Sequence, residues 1–191
     1  MNQVNVMVVG ATPRANDTWQ KRVGGVLQNI AEVRKGLIED IIKMRPDLVV
    51  CYNNGAMARK VKEITGGTGI VALGVSLTLL PIGIKTLYQL GVNKRVGVVA
   101  HHLRCANILL SEIVSSGFFE NRFITGTFTE MRDMDVNFFV AGEEMVNLAD
   151  RKGISVPIIT IPRGLSPYSV ATLVNTVNEI AGTKFAYPQR K

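Results

Sequence analysis

The chain has 191 residues, of which 47% are hydrophobic and two are cysteines. This length suits one α/β domain, or two small halves that share a cleft, and the apolar content is that of an ordinary globular protein. No run of about 18 apolar residues is present and the amino terminus lacks a secretory pattern, so we expect no membrane span or export. Two cysteines exclude a disulfide framework, which favours a cytoplasmic protein.

The formal net charge is +7, which raises the question of nucleic-acid binding. The basic residues are spread along the chain, without a run of four or more and without the aromatic and basic interleaving of RNA-binding domains. A small anionic ligand explains the same bias at least as well. We therefore favour a small anion over direct contact with nucleic acid.

Apolar runs typical of strands alternate with segments of helical spacing along the whole chain. The predicted strands cover residues 4–9, 30–33, 48–52, 70–75, 95–100, 122–127, 136–141 and 157–161. The predicted helices cover residues 17–28, 37–44, 56–64, 76–90, 105–115, 143–151 and 168–181. Apolar strands separated by helices indicate parallel sheets that are covered on both faces.

The order of strands and helices restarts near residue 93. We therefore predict one sensor-type α/β domain, 1–191, made of two Rossmann-like or flavodoxin-like three-layer halves with a ligand cleft between them. The halves cover about 1–92 and about 93–165, and the last helix, 166–182, could pack back on the first half.

In parallel α/β sheets, ligands bind beyond the carboxyl ends of the strands. The candidate ligand-binding residues follow the predicted strands and are Thr12, Arg14, Asn53, Asn54, Gly55, Ser76, Thr78, His101, His102, Arg104, Gly142 and Ser166. The arginines would neutralise a carboxylate or a phosphate. The amides, the hydroxyls and the helix starts would fix the orientation of the ligand.

These residues also have structural explanations. Ser76 and Ser166 could serve only as helix caps, the two asparagines as turn residues and Arg14 as a solvated loop residue. The adjacent histidines point in opposite directions on an extended loop and have no partners at zinc spacing. We therefore expect no metal, no cofactor and no catalytic residue. Standard nucleotide-binding and hydrolase motifs are missing as well.

The order of these elements resembles that of the amino-terminal sensor domain of propionate-catabolism regulators, which are sigma-54-dependent transcriptional activators. The resemblance covers almost the whole chain. Its segments are Asp47 to Ala56, Ile70 to Leu90, Arg95 to Ala100, Asp135 to Gly142, Ala149 to Gly153 and Ile158 to Ala181. Where the family usually has an Arg-Gly-Gly-Thr-like string, this chain has Tyr-Asn-Asn-Gly-Ala at 52–56.

The resemblance implies a small organic acid as ligand and regulation of an ATPase and DNA-binding effector. No such effector sequence is found in this chain, so the sensor belongs to a longer chain or acts alone. A homodimer is expected for a regulator of this kind.

Two other classes stay open. Aspartate/glutamate racemase-like enzymes also have two α/β halves, and their Cys-Asn-Thr-Ala turn is similar to the sequence at 51–54. However, Cys51 lies one residue early, which turns it to the other face of the strand, and Cys105 lies inside a predicted helix. A solute-binding protein of a transporter is the third class, which the missing export signal disfavours.

Overall fold

The computed structural model describes residues 3–10, 13–52, 55–118, 120–146, 151 and 153–186. The chain divides into two compact units, and each has its own sheet. Unit 1 comprises Met1–Leu77 and Leu165–Lys191, and unit 2 comprises Thr78–Gly164. Residues 78–90, which the sequence analysis assigned to the last helix of the range 1–92, therefore lie in unit 2.

Unit 1 contains a parallel four-stranded sheet in the order β2-β1-β3-β4. Its strands are β1 (Val4–Val9), β2 (Ala31–Gly36), β3 (Leu48–Tyr52) and β4 (Val71–Val75). Its helices are α1 (Pro13–Val26), α2 (Ile41–Met44, after a 3-10 turn at Ile38–Asp40), α3 (Gly55–Thr65) and α7 (Pro167–Ala186).

Unit 2 repeats this arrangement with the strand order β7-β6-β8-β9, again all parallel. Its strands are β6 (Arg95–Ala100), β7 (Arg122–Thr127), β8 (Phe138–Gly142) and β9 (Ile158–Ile161). Its helices are α4 (Pro81–Gln89), α5 (Leu103–Ser115) and α6 (Phe128–Met131). Two short strands, β5 (Leu77–Leu79) and β10 (Arg163–Leu165), pair where the chain passes between the units.

The predicted α/β class with two parallel sheets is confirmed, whereas the ligand cleft between the halves stays a prediction. Side chains along β1 point alternately to the two faces of the sheet, so this strand packs against helices on both faces. Val4, Val6 and Val8 are buried in the cluster that contains α1 and α7 residues. Met7 and Val9 face the opposite cluster, with α2 and α3 residues.

Two of the predicted helices are wrong in part. Ser76 does not begin a helix, because residues 77–79 pair with β10 as a strand and the helix begins only at Pro81. Proline is favoured at the first helical position because its missing N–H has no partner there in any case. Within the range 143–151 that was predicted as a helix, Glu143–Met145 form a 3-10 turn and Val146 is extended, whereas residues 147–150 lie outside the described residues.

Within the described part of the chain, no helix is both long enough and apolar enough to cross a lipid bilayer.

Candidate ligand site at the carboxyl ends of the strands

The predicted site residues divide between the two units. Thr12, Asn53 and Asn54 lie outside the described residues. Arg14 lies in the first turn of α1 and Gly55 is the first residue of α3. Ser76 and Ser166 also belong to unit 1, whereas unit 2 contains Thr78, His101, His102, Arg104 and Gly142.

Ser76 and Ser166 come together, and with Ser169 they form a group that we call the serine cluster. The Oγ atom of Ser76 lies 2.9 Å from that of Ser166 and 3.2 Å from that of Ser169. The Ser166 and Ser169 Oγ atoms are 3.0 Å apart. Ser169 is only 4% exposed, whereas Ser76 and Ser166 are half-buried. Three hydroxyls therefore meet at one point, and two of the three residues are only half-buried.

Backbone hydrogen bonds fix the position of the serine cluster. Ser76 directly follows β4, and its N–H donates to Ser169 Oγ at 2.9 Å. The Ser166 N–H donates to the Ser76 carbonyl at 3.0 Å. Ser166 directly precedes α7, and its Oγ accepts from the Ser169 N–H at 3.2 Å, as an N-cap residue does. The cluster thus lies at the amino end of a 20-residue helix, where the helix dipole favours negative charge.

Asn16 organises the carboxyl ends of the neighbouring strands, and the sequence analysis missed it. Its Oδ1 accepts the Gly10 N–H just after β1, and its Nδ2 donates to the Gly36 carbonyl at 2.9 Å at the end of β2. A Cβ atom on Gly10 would lie only 2.6 Å from Asn16 Oδ1, so this corner needs a glycine. No local pattern distinguishes this asparagine from an ordinary surface residue of α1.

In unit 2, the turn between β6 and α5 contains both histidines of the protein. His101, His102 and Arg104 are all exposed. The carbonyl of His102 accepts the N–H groups of Cys105 and Ala106 at 2.9 and 3.2 Å. Within the described residues, the His102 side chain makes no capping bond to α5. His101 packs its ring 5.7 Å, centroid to centroid, from the ring of Phe128.

A capping box closes the carboxyl end of β7, which pairs with β6, the strand that the two histidines follow. The Thr127 side chain accepts the Glu130 N–H, and the Glu130 carboxylate accepts the Thr127 N–H at 2.9 Å and its hydroxyl at 2.8 Å. The hydrogen bonds that the Glu130 carboxylate accepts lower its pKa, and the bond from the Thr127 backbone N–H has the larger effect. The spacing Thr-x-x-Glu is a recognisable signal for such a box, but the sequence analysis did not use it.

The other two predicted site residues of unit 2, Gly142 and Thr78, are less exposed than the residues of the histidine turn. Gly142 is buried at the end of β8 and precedes the 3-10 turn. Thr78 is half-buried in β5.

The two cysteines have different environments. Cys51 is buried in the cluster between the sheet of unit 1 and the helices α2 and α3, together with Met7 and Ile41. Burial raises the pKa of its thiol to about 11, although the positive charge of Lys62 acts in the other direction. Cys105 lies half-buried on α5. Among the described residues, no three His, Cys, Asp or Glu side chains are placed to hold a metal ion.

No protein-family model matches this chain, and no curated protein matches it in sequence.

Proposed function

We propose that this chain is a sensing domain for a small organic acid, which binds at the carboxyl ends of the strands and regulates an effector. The serine cluster is the observation that carries this proposal. Hydroxyl groups rotate freely and can donate to an anion, and the amino end of α7 adds a favourable dipole. Because Ser76 and Ser166 are half-buried, a carboxylate could reach their hydroxyls without unfolding the corner.

The histidine turn of unit 2 supports the same ligand class. Arg104 provides a planar cation that suits a carboxylate, and His102 has a side chain that the helix cap does not use. Both side chains are exposed at the start of the 13-residue helix α5. This turn would therefore contribute cationic and hydrogen-bonding groups of the kind that an acid needs.

The regulatory role is proposed from the resemblance to the sensor domain of propionate-catabolism regulators. In this proposal, the bound acid changes the balance between conformations of the domain, and an attached or separate ATPase and DNA-binding effector responds to that change. A homodimer is part of the same proposal.

Thermal unfolding against a panel of acetate, propionate, succinate, citrate and inorganic phosphate tests ligand binding. A ligand at 100 times its dissociation constant adds about 2.7 kcal/mol of stability, which corresponds to a shift of several degrees in a chain of this size. We expect one or more of the carboxylates to produce such a shift, and Ser76→Ala and Arg104→Ala to reduce it.

Two matched variants control for general effects on stability. Lys85→Ala removes an exposed cation from α4, and Ser111→Ala removes an exposed hydroxyl from α5. Both should keep the full ligand-induced shift. A panel without any shift, or a shift that the Ser76 and Arg104 variants retain in full, would contradict the proposal.

A further inference from the structure

The two faces of the unit 1 sheet are covered by different pairs of helices. Ile41 of α2 and Val61 of α3 are buried in one cluster with Met7 and Val49 of the sheet. The opposite face packs against α1 and α7, and α7 begins at the serine cluster. The exposed residues of α2 and α3 therefore belong to one surface, on the other side of the sheet from α7. We call this surface the basic face.

Five cations are exposed on the basic face, at the end of α2 and along α3. They are Lys43, Arg45, Arg59, Lys60 and Lys62. The exposed acids of α2, of α3 and of the 3-10 turn before α2 are Glu39 and Glu63. The face thus has an excess of positive charge, although its cations are spread from residue 43 to residue 62 of the sequence.

The other face of the same sheet lacks this excess. Among the described side chains of α1 and α7, the exposed charged residues are Lys21, Asp17 and Glu179. The positive charge is therefore a local feature of α2 and α3, and it does not extend over the whole of unit 1.

The cations of the basic face come from elements that contact each other. α2 and α3 are in contact, and Arg45 lines the same groove as Thr68 and Gly69 of the loop that follows α3. Arg59 and Lys62 are three residues apart on α3, a spacing that places two side chains next to each other on the helix surface. The basic face therefore spans both helices.

The five cations are not neutralised within the described part of the protein, because none of them forms an ion pair there. By contrast, the exposed Arg34 and Lys35 of β2 are paired with Glu32 and Asp17. Like charges on neighbouring turns of a helix repel each other and reduce stability. A partner with many negative charges would relieve this repulsion.

The composition of the basic face favours the backbone of duplex DNA as that partner. α2 and α3 contain no aromatic residue, and their one hydroxyl residue, Thr65, is buried. The face therefore offers no ring for stacking of unpaired bases and no hydroxyl for contacts to ribose.

An anionic lipid surface fits the basic face less well. The described exposed residues of α3 include no apolar side chain larger than alanine. α2 exposes Ile42 and Met44 but has only four residues. Neither helix thus provides the long apolar face with which an amphipathic helix enters a membrane surface.

We propose that the basic face binds the backbone of double-stranded DNA without reading its sequence. Duplex DNA has one negative charge per about 1.7 Å of its axis, so cations on two neighbouring helices meet several phosphates at once. Their contact releases condensed counterions, and this release drives binding. The DNA site is separate from the acid site proposed above, and each is tested without the other.

Fluorescence anisotropy of a labelled DNA duplex, titrated with the full chain, tests the proposal. Five phosphate contacts predict that log K falls with log salt concentration with a slope of about −4.5 between about 50 and 200 mM salt. Lys60→Gln combined with Lys62→Gln removes two contacts, so the slope should flatten to about −2.7 and the affinity should fall by about tenfold or more. Glu63→Gln removes an anion from the face and should strengthen binding.

A matched double variant in unit 2 separates the basic face from the net charge of the chain. Lys85→Gln combined with Lys94→Gln removes the same two charges at exposed positions. It should keep the slope, and the affinity within about twofold, because salt screens charges that are distant from the DNA. Lys43→Gln combined with Arg45→Gln should weaken binding as the α3 variant does. Thermal unfolding without DNA checks that each variant keeps its fold.

Four results would overturn the proposal. They are the absence of duplex binding, equal losses of affinity in the double variants of the two units, tighter binding to the single strand than to the duplex, and binding to phosphatidylserine vesicles without binding to the duplex.

Discussion

The two units share one topology but differ in the residues that it carries. Both sheets are parallel and have the same strand order, with the first strand second from one edge. Unit 1 contains 13 basic and 7 acidic residues, whereas unit 2 contains 9 basic and 8 acidic residues. The positive charge of the chain thus comes almost entirely from unit 1. Apolar patterning determines the common fold, and the polar residues at the strand ends distinguish the two units.

Among the described ion pairs, unit 2 has a buried pair beside the exposed pair of Arg95 with Asp135, whereas the pairs of unit 1 are exposed. In unit 2, Arg163 of β10 is fully buried, and its guanidinium forms a two-pronged pair with Glu112 of α5, with Nε 2.9 Å from Oε2. In unit 1, the pair of Lys35 with Asp17 has both side chains about half exposed. A buried charge that loses its partner is far more costly than an exposed one.

The largest expected effect comes from removal of the buried partner in unit 2. Glu112→Ala should reduce the free energy of unfolding by about 3–5 kcal/mol, because it leaves the Arg163 charge without its carboxylate. The matched change in unit 1, Asp17→Ala, should cost less than about 1 kcal/mol. Urea denaturation of both variants measures the difference. Equal losses in the two variants would show that burial does not distinguish the two pairs.

The next effect concerns the corner that Asn16 holds in unit 1. Asn16→Ala should cost about 2–3 kcal/mol, because the Gly10 N–H and the Gly36 carbonyl both lose a buried partner. Asn107→Ala, at an exposed position on α5 in unit 2, should change the stability by less than about 0.5 kcal/mol. Chemical denaturation gives both values, and an Asn16 variant as stable as the Asn107 variant would rule out this role.

The thiol of Cys51 should make the stability depend on pH in the alkaline range. Its pKa is raised from 9.0 to about 11 in the folded chain, so the folded state holds this proton more tightly than the unfolded state does. The stabilisation is present in full below pH 9 and is lost as the pH rises through 11, by an amount on the order of 2 kcal/mol.

A comparison of unfolding free energies at pH 8 and pH 11 for the unaltered chain and for Cys51→Ala isolates this contribution. The loss between the two pH values should be smaller in the variant. The half-buried Cys105 of unit 2 should also react faster than Cys51 with a thiol reagent at pH 8. Equal pH dependence in the two proteins would contradict the assigned environment of Cys51.

The smallest expected effect on stability concerns the starts of α7 in unit 1 and α5 in unit 2. Ser166→Ala should cost about 1 kcal/mol, because Ser166 Oγ accepts the Ser169 N–H at the start of α7. His102→Ala should be close to neutral for stability, because its side chain does not cap α5 within the described structure. Thermal unfolding of both variants without ligand provides the test. A larger loss for His102→Ala would indicate a structural role for this histidine.

The sequence predicts the parallel sheets well because their strands are continuous apolar runs. The predicted bounds of β1, β3, β6 and β7 match the structure residue for residue. In contrast, β5 and β10 were missed, because three-residue strands depend on a partner that is distant in sequence. The same limit explains the incorrect helix start at Ser76.

The candidate site was predictable only in part, and for the same physical reason. Ser76 and Ser166 were each recognised as residues at a strand end or helix start. Their contact joins positions that are 90 residues apart, and it arises because α7 packs on the sheet of unit 1. Similarly, the pair of Arg163 with Glu112 spans 51 residues, and no local pattern indicates it.

We propose that a small organic acid binds at the carboxyl ends of the strands. The most direct test is a titration of the ¹⁵N-labelled chain, followed by NMR, with the acid that gives the largest thermal shift. We expect saturable amide shifts at Ser76, Ser166 and Ser169, and at the turn from His101 to Arg104. Shifts that are confined to other regions, or no saturable shifts with any acid, would contradict this proposal.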